Sequence, residues 1–472
     1  MRSAVQNRNS LRGSLVQSRI KQRVIYGPTK RQAFVSSSAN LLALVIGIGT
    51  NFTIHFVGEL YIAEILMLLL LPLFVIFKGK RILKPQLYVI YYLMGLWLLG
   101  LVIADVYNHT PVGDRLRGTA LIVFFGVDLL VLEMLLSHND KRKMLFMIGL
   151  TVGALLSVKL QPSLALADYP WKFGWASGTI QVVVLVSTYF YTRRRYVVSG
   201  LLILGICGVN LILNYRGPVL ELLIALVLVH PLIPEEVGNT RILPNSQVAR
   251  VVVLVVLVIG AGEISESLVH LVTKLGYINE QAQAKNEAQS HSGNLLLGGR
   301  PEFAVGLQAA LENPIVGRGS WPKDMKYLEM LNDLEVETGE LEYSTSFEND
   351  ANGQIPAHSG IISMWMWGGI LALIFWIYFV WFVIKGILKV AIVRPPFAPV
   401  YMYLLVSMFW DIFFSPFAAS RRITDAFLLM VIADLMETGS AVISGPWRRM
   451  GAVNVRRTFG NGQNPIALTR PR

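Results

Sequence analysis

Two arginines and a histidine in this chain stand where charge needs a reason. Arg216 lies at the tip of an apolar hairpin, in Asn214-Tyr215-Arg216-Gly217-Pro218. Proline is tolerated in the first turn of a helix, so a helix is expected to start there, with the guanidinium beside its free N–H groups. Such a terminus favours anions, and arginine adds a bidentate fork for phosphate oxygens. Arg300 opens Gly299-Arg300-Pro301-Glu302-Phe303 within a long polar segment. His358 follows Pro356-Ala357 and heads an unbroken apolar run from Ser359 through Val383. An imidazole is largely neutral near pH about 7 and can take up a proton. Together the three suggest binding of an anionic, lipid-linked molecule and proton transfer.

Other residues qualify as support. Glu221, about one turn beyond Arg216, would either orient the guanidinium or be a buried, paired carboxylate. Arg318, in the glycine turn Ile315-Val316-Gly317-Arg318-Gly319, is a weaker candidate for the anion. Lys159, at the end of an apolar stretch, would add positive charge. His291 sits in plain polar loop and reads as background. Glu64, Asp128, Glu133 and Asp411 interrupt apolar stretches, scattered and mixed in sign, and read as structural. Arg421 and Arg422 read as arginines snorkelling to headgroups.

The elements that must carry these residues are membrane helices. The chain has 472 residues, 54% hydrophobic and only 15% charged, with mean hydropathy +0.52. A soluble chain carries about 25% charged residues. The net charge of +12 is concentrated at the ends. Residues 2–31 hold eight Lys/Arg and no acid, and residues from 447 onward hold six arginines and no acid. Basic tails flanking apolar spans mark cytoplasmic ends, which argues against nucleic-acid binding. The single cysteine, Cys207, lies in an apolar run, so disulfides, zinc clusters and thiol redox chemistry are not expected. About 33 polar residues precede the first apolar stretch, too many for the basic region of a cleavable leader.

A spanning helix needs about 20 mostly apolar residues. Twelve stretches are expected to span, at roughly 37–57, 60–77, 86–105, 118–136, 143–161, 173–192, 196–213, 216–233, 248–266, 357–384, 397–414 and 422–438. The loops after even-numbered stretches are basic, as in Lys78-Gly79-Lys80-Arg81, Lys141-Arg142-Lys143 and Arg193-Arg194-Arg195. Both termini are therefore expected in the cytoplasm, with Arg216, Arg300 and His358 on the opposite side. The long polar loop, about 263–355, would then be extracytoplasmic. Within it, Phe303, Leu307, Ala310 and Leu311 recur at helical spacing until Asn313-Pro314. Trp321 suits an interfacial anchor, and the acidic part, 333–350, a mobile stretch or lid.

The layout resembles the O-antigen ligase and O-antigen polymerase family of bacterial envelope glycosyltransferases. The resemblance rests on the large loop between the ninth and tenth stretches and on three local patterns. These are Asn214-Tyr215-Arg216-Gly217 opening a helix; Gly299-Arg300 followed by Asn313-Pro314-Ile315-Val316-Gly317-Arg318-Gly319; and His358 heading an apolar helix with Gly360, Gly368 and Gly369. It covers roughly 200–380. The chain departs from the family pattern at Tyr215, where a serine is frequent, and at Ser359, where an asparagine is frequent.

The resemblance implies an all-α polytopic protein of the bacterial inner membrane that makes envelope polysaccharide. Its parts would be a basic cytoplasmic tail (1–36), N-terminal spans (37–200), a ligase/polymerase-like module (201–384) with extracytoplasmic loop 267–356, C-terminal spans (385–438) and a second basic tail (439–472). It implies inverting transfer of a glycan from a polyprenyl diphosphate, undecaprenyl diphosphate in bacteria, to an acceptor sugar hydroxyl, with no metal or other cofactor. Arg216 and Arg300 would bind the diphosphate and His358 would deprotonate the acceptor. The partners implied are the lipid-linked donor, a glycan or lipid-glycan acceptor, membrane lipids and other polysaccharide-assembly proteins. A twelve-span transporter or flippase of lipid-linked glycans would more naturally show two similar halves joined by a cytoplasmic linker. A non-enzymatic envelope assembly protein is the third reading.

Overall fold

A computed structural model describes residues 30–55, 58–78, 84–162, 166, 169–213, 215–230, 301–338 and 353–444. Arg300, His291, the stretch 248–266 and most of the polar loop and of both basic tails lie outside the described residues; residues 30–36 and 439–444 of the expected tails are helical.

Apolar segments of this length satisfy their backbone polar groups internally by forming helices. The described residues fold as α1 (Lys30–Gly49), a β-hairpin of β1 (Thr53–His55) and β2 (Glu59–Tyr61), then α2 (Ile62–Lys78), α3 (Pro85–Tyr107), α4 (Val112–Leu136) and α5 (Asp140–Leu160). A π-helical turn, Trp171–Trp175, leads into α6 (Ala176–Thr192), followed by α7 (Tyr196–Ile212) and α8 (Gly217–Val229). After the undescribed region come α9 (Pro301–Glu312), α10 (Met325–Thr338), α11 (Gly360–Val393), α12 (Ala398–Phe414) and α13 (Ala419–Ser444). Among the described residues, five helical segments are long and apolar enough to cross a membrane, and five further apolar helices are shorter. Every expected stretch that falls on described residues is helical over most of its length.

The hairpin corrects the first expected stretch. Its helix stops at Gly49, and Thr53 pairs with Tyr61 and His55 with Glu59, antiparallel. Gln161, just past α5, holds the hairpin: its amide donates to the Thr53 carbonyl (2.9 Å) and its oxygen accepts from the Thr53 amide (2.9 Å). α4 also begins at Val112 and α11 runs to Val393, each beyond the apolar stretch expected.

Small residues set the closest helix approach, as is usual in membranes. A Cβ on Gly47 of α1 would lie 2.3 Å from the Phe146 carbonyl of α5, and one on Gly149 would lie 2.3 Å from the Leu44 carbonyl. The centre of the bundle is aromatic. Trp97 of α3 stacks on Phe375 of α11 (4.9 Å) and meets Trp376 edge-on, while Phe417 lies against Phe125 of α4 (5.4 Å).

At one end, α4, α5 and α13 meet in a knot of buried charge. Lys84 pairs with Glu133 (3.3 Å) and with Asp434, which also pairs with Lys143 and accepts from the His138 amide (3.0 Å). The opposite end carries α9, Arg216 and His358.

Candidate functional site

The glycine turn after α9 is the element that positions this end. α11 breaks at Gly369 (φ 64°, ψ −153°), which frees backbone groups on either side. The turn supplies their partners. The Arg318 amide donates to the Met366 carbonyl (2.7 Å), the Gly319 amide to Trp367 (3.0 Å), and the Ile370 amide to Ile315 (3.0 Å). Non-helical backbone inside an apolar bundle is tolerated where protein buries it. From the other side α3 grips the same turn. Asp105 accepts from the Ser320 amide (2.6 Å) and hydroxyl (2.9 Å), and the Asn108 side-chain amide donates to the Gly317 carbonyl (3.1 Å). Trp321, expected as an interfacial anchor, instead packs on Trp367 at 5.0 Å.

Gly369 is required twice over. Its φ lies in the left-handed region, where a side chain costs about 1–3 kcal/mol, and a Cβ there would stand 2.0 Å from the Ile315 carbonyl. Gly369→Ala is expected to detach the turn, read as a lowered melting temperature and as proteolysis between α9 and α11.

Arg318 serves this cap rather than an anion site. Its Nε donates to the Ala309 carbonyl (3.0 Å), its Nη2 meets Glu312 (3.1 Å) and the Tyr327 hydroxyl, and its Nη1 approaches Asp324 (3.6 Å). Lys326, Tyr327 and Gln308 donate to Glu312 and hold its carboxyl down to about 2. Burial, followed by the adjoining Glu312, pushes the Tyr327 hydroxyl up to about 12. A depressed carboxyl stabilises above its ordinary range and loses that contribution as pH falls through the folded value. The α9–α10 contact should therefore weaken from about 4.5 down to about 2. Amide exchange at Lys326 and Tyr327, followed across that window in wild type and Glu312→Gln, checks this; the variant should show no such pH dependence.

With the turn fixed, α9 lies across α11 and α12. Val305, Ala309 and Ala310 are buried, and Phe303 meets Phe414 of α12 at 6.4 Å; Leu311, expected on the same face, is exposed. Glu302, at the start of α9, faces the His358 ring, with Nδ1–Oε1 at 3.5 Å. His358 itself is 54% exposed, just before the start of α11. The next residue anchors it: Ser359 caps α11 by accepting from the Ile362 amide (3.4 Å), and its hydroxyl donates to the Ile412 carbonyl of α12 (3.4 Å).

Beside Ile412 lies a polar cluster whose grouping the sequence does not show. Asp411 pairs with Arg421 of α13 and accepts from the Ser415 hydroxyl (2.8 Å). Glu221 of α8 is buried, accepts from the Ser407 hydroxyl, and lies within electrostatic range of Asp411 and Arg421. Tyr215 and Asp425 lie within the same range of Arg421 and Asp411. Glu221, expected either to orient Arg216 or to be a buried, paired carboxylate, is buried and bonded to the Ser407 hydroxyl. Arg216 occupies the N-cap of α8, with Gly217-Pro218 opening the helix and its Nε and Nη2 buried.

Arg216, Glu221, Asp411, Arg421 and His358 thus belong to one end of the bundle, linked through α8, α12 and the start of α11. Lys159 does not join them; it is exposed on the last turn of α5. The snorkelling expected of Arg422 is also corrected: it is only 3% exposed and grips Glu64 (2.6 Å). Arg421 stays 39% exposed while it pairs with Asp411. The signal for both lay in pairing between distant helices: Asp411 is ten residues from Arg421, but Glu64 and Arg422 are 358 apart. Comparison with known proteins finds no matching family model, curated protein or solved structure.

Proposed function

We propose that this protein is an inverting, metal-independent glycosyltransferase of the bacterial inner membrane. It moves a glycan from a polyprenyl diphosphate to an acceptor sugar hydroxyl on the extracytoplasmic face. The observation that carries the reading is a histidine–carboxylate pair, His358–Glu302, at the same end of the bundle as an arginine that caps a helix N-terminus.

In the proposed step the acceptor hydroxyl gives its proton to His358 Nε2 while its oxygen bonds to the anomeric carbon from the face opposite the diphosphate. The bond from that carbon to the phosphate oxygen breaks, and its electron pair leaves with the polyprenyl diphosphate. Glu302, on the Nδ1 side, orients the ring and balances the imidazolium. Arg216, with the positive end of the α8 dipole, meets the charge that develops on the leaving oxygen. Arg300 shares that duty in this reading. Arg421 remains with Asp411 and keeps the neighbouring wall polar.

Ligase and polymerase differ only in the acceptor. Supplying the purified protein with a lipid-linked repeat unit, alone or with a core lipid, separates them. Growth of the donor into longer lipid-linked chains marks a polymerase, and glycosylation of the core lipid marks a ligase. An unchanged donor with every acceptor overturns the proposal.

A further inference from the structure

Asp128 lies deep in α4, 0% exposed, and neither of its carboxylate oxygens meets a hydrogen-bond donor. It does not belong to the end described above. One turn away along α4, Phe124 carries the Arg422 guanidinium at 5.6 Å from its ring. Asp128 lies within electrostatic range of Arg422 and of Glu64.

Glu64 is well supplied with donors. Its Oε1 accepts from Arg422 Nε (2.7 Å) and its Oε2 from the Tyr61 amide (2.9 Å). Arg422 Nη2 reaches on to the Glu59 carbonyl of the hairpin (3.3 Å). The other charged and titratable groups facing this part of α4 come from its neighbours. α3 brings Tyr91, whose hydroxyl donates to the Gly126 carbonyl (2.8 Å). Further along α4, Glu133 is held by Lys84, and Lys143 of α5 is held by Asp434. β2 brings Tyr61, whose hydroxyl lies within electrostatic range of Glu59, Glu64 and Arg422.

Two carboxyls therefore lie in the field of one guanidinium, and the set is neutral only when it holds one proton. A buried carboxylate without donors is far costlier than a carboxylic acid. We propose that Asp128, Glu64 and Arg422 form a buried proton-binding site, in which Asp128 holds one exchangeable proton while Arg422 stays on Glu64. Losing that proton to water takes the set from neutral to one net negative charge. The guanidinium is then shared between two anions, and its bonds to Glu64 and to the Glu59 carbonyl loosen. Proton occupancy is thereby tied to the docking of the β-hairpin and to the start of α13.

The test is infrared spectroscopy of the full-length protein in lipid nanodiscs, with deuterium exchange. At neutral pH wild type should show a protonated-carboxyl C=O band that Asp128→Asn lacks. Raising the pH should remove the band and, over the same range, the exchange protection of the Tyr61 amide. A band of equal intensity in Asp128→Asn overturns the proposal, as does one unchanged at every pH the fold survives. The amide closely matches the protonated acid, so Asp128→Asn should keep the wild-type melting temperature. A loss as large as that of Asp128→Ala would instead mark an ionised partner of Arg422. Should no variant accumulate, wild type carrying carboxyl-13C aspartate gives the same reading. A protonated aspartate carbon that loses its proton over the same pH range as the Tyr61 amide loses protection is expected, and none overturns the site.

Discussion

His358→Ala should lower glycan transfer by about 10²–10⁴-fold, the usual contribution of a positioned general base, while leaving the protein folded. The imidazole is more than half exposed, and its only described ion-pair partner is Glu302 at 3.5 Å. Its removal opens no cavity in the aromatic core of Trp97, Phe375 and Trp376. The loss should fall on kcat, because the base acts on the acceptor hydroxyl as the new bond forms. Glu302→Gln should act in the same direction and less severely, since it removes orientation and charge balance but not the base. Rates are measured with purified protein, and melting temperatures establish that the fold is kept. A His358→Ala protein with undiminished transfer removes the base assignment.

Arg216→Ala should lower transfer by about 10²–10³-fold, the effect of losing one preorganised donor to a developing anion. Arg216→Glu should bring it below detection. Placing a carboxylate at the N-cap would repel a diphosphate from the positive end of the α8 dipole that attracts it. Arg216→Lys keeps the charge and loses the bidentate fork, so partial activity is expected. Membrane levels matched to wild type separate this from misfolding. Full activity of Arg216→Glu would make the residue a headgroup contact and nothing more.

Helical class and most helix positions were readable from the sequence, because spans of about 20 apolar residues have few alternatives in an apolar setting. Local departures were not. The hairpin at Thr53–Tyr61 depends on Gln161, over a hundred residues away, so hydropathy alone continues α1 through it. The break in α11 is written as a Gly-Gly pair, but only the turn at Ile315–Gly319 explains why the helix opens there. That same contact turns Arg318 from an anion-site candidate into a clamp on Glu312 and Tyr327.

Among the candidate residues, the positions of Arg216 and His358 were legible because each interrupts an apolar run at a helix start. Asp411, Arg421, Glu64, Arg422 and Asp128 were not, because the meaning of a buried charge lies in its partner. Glu64 and Arg422 read singly as a structural acid and a snorkelling base; packed together they leave Asp128 without a donor.

The central claim is that the bundle transfers a glycan rather than carrying it. Transfer in detergent micelles tests this most directly, because without two compartments transport has no product. Purified protein, a defined polyprenyl-diphosphate glycan and an acceptor should yield glycosylated acceptor and free polyprenyl diphosphate in equal amounts, with inverted anomeric configuration and with a chelator present. An unchanged donor in micelles, together with protein-dependent movement of the same lipid-linked glycan across reconstituted vesicles, would contradict it.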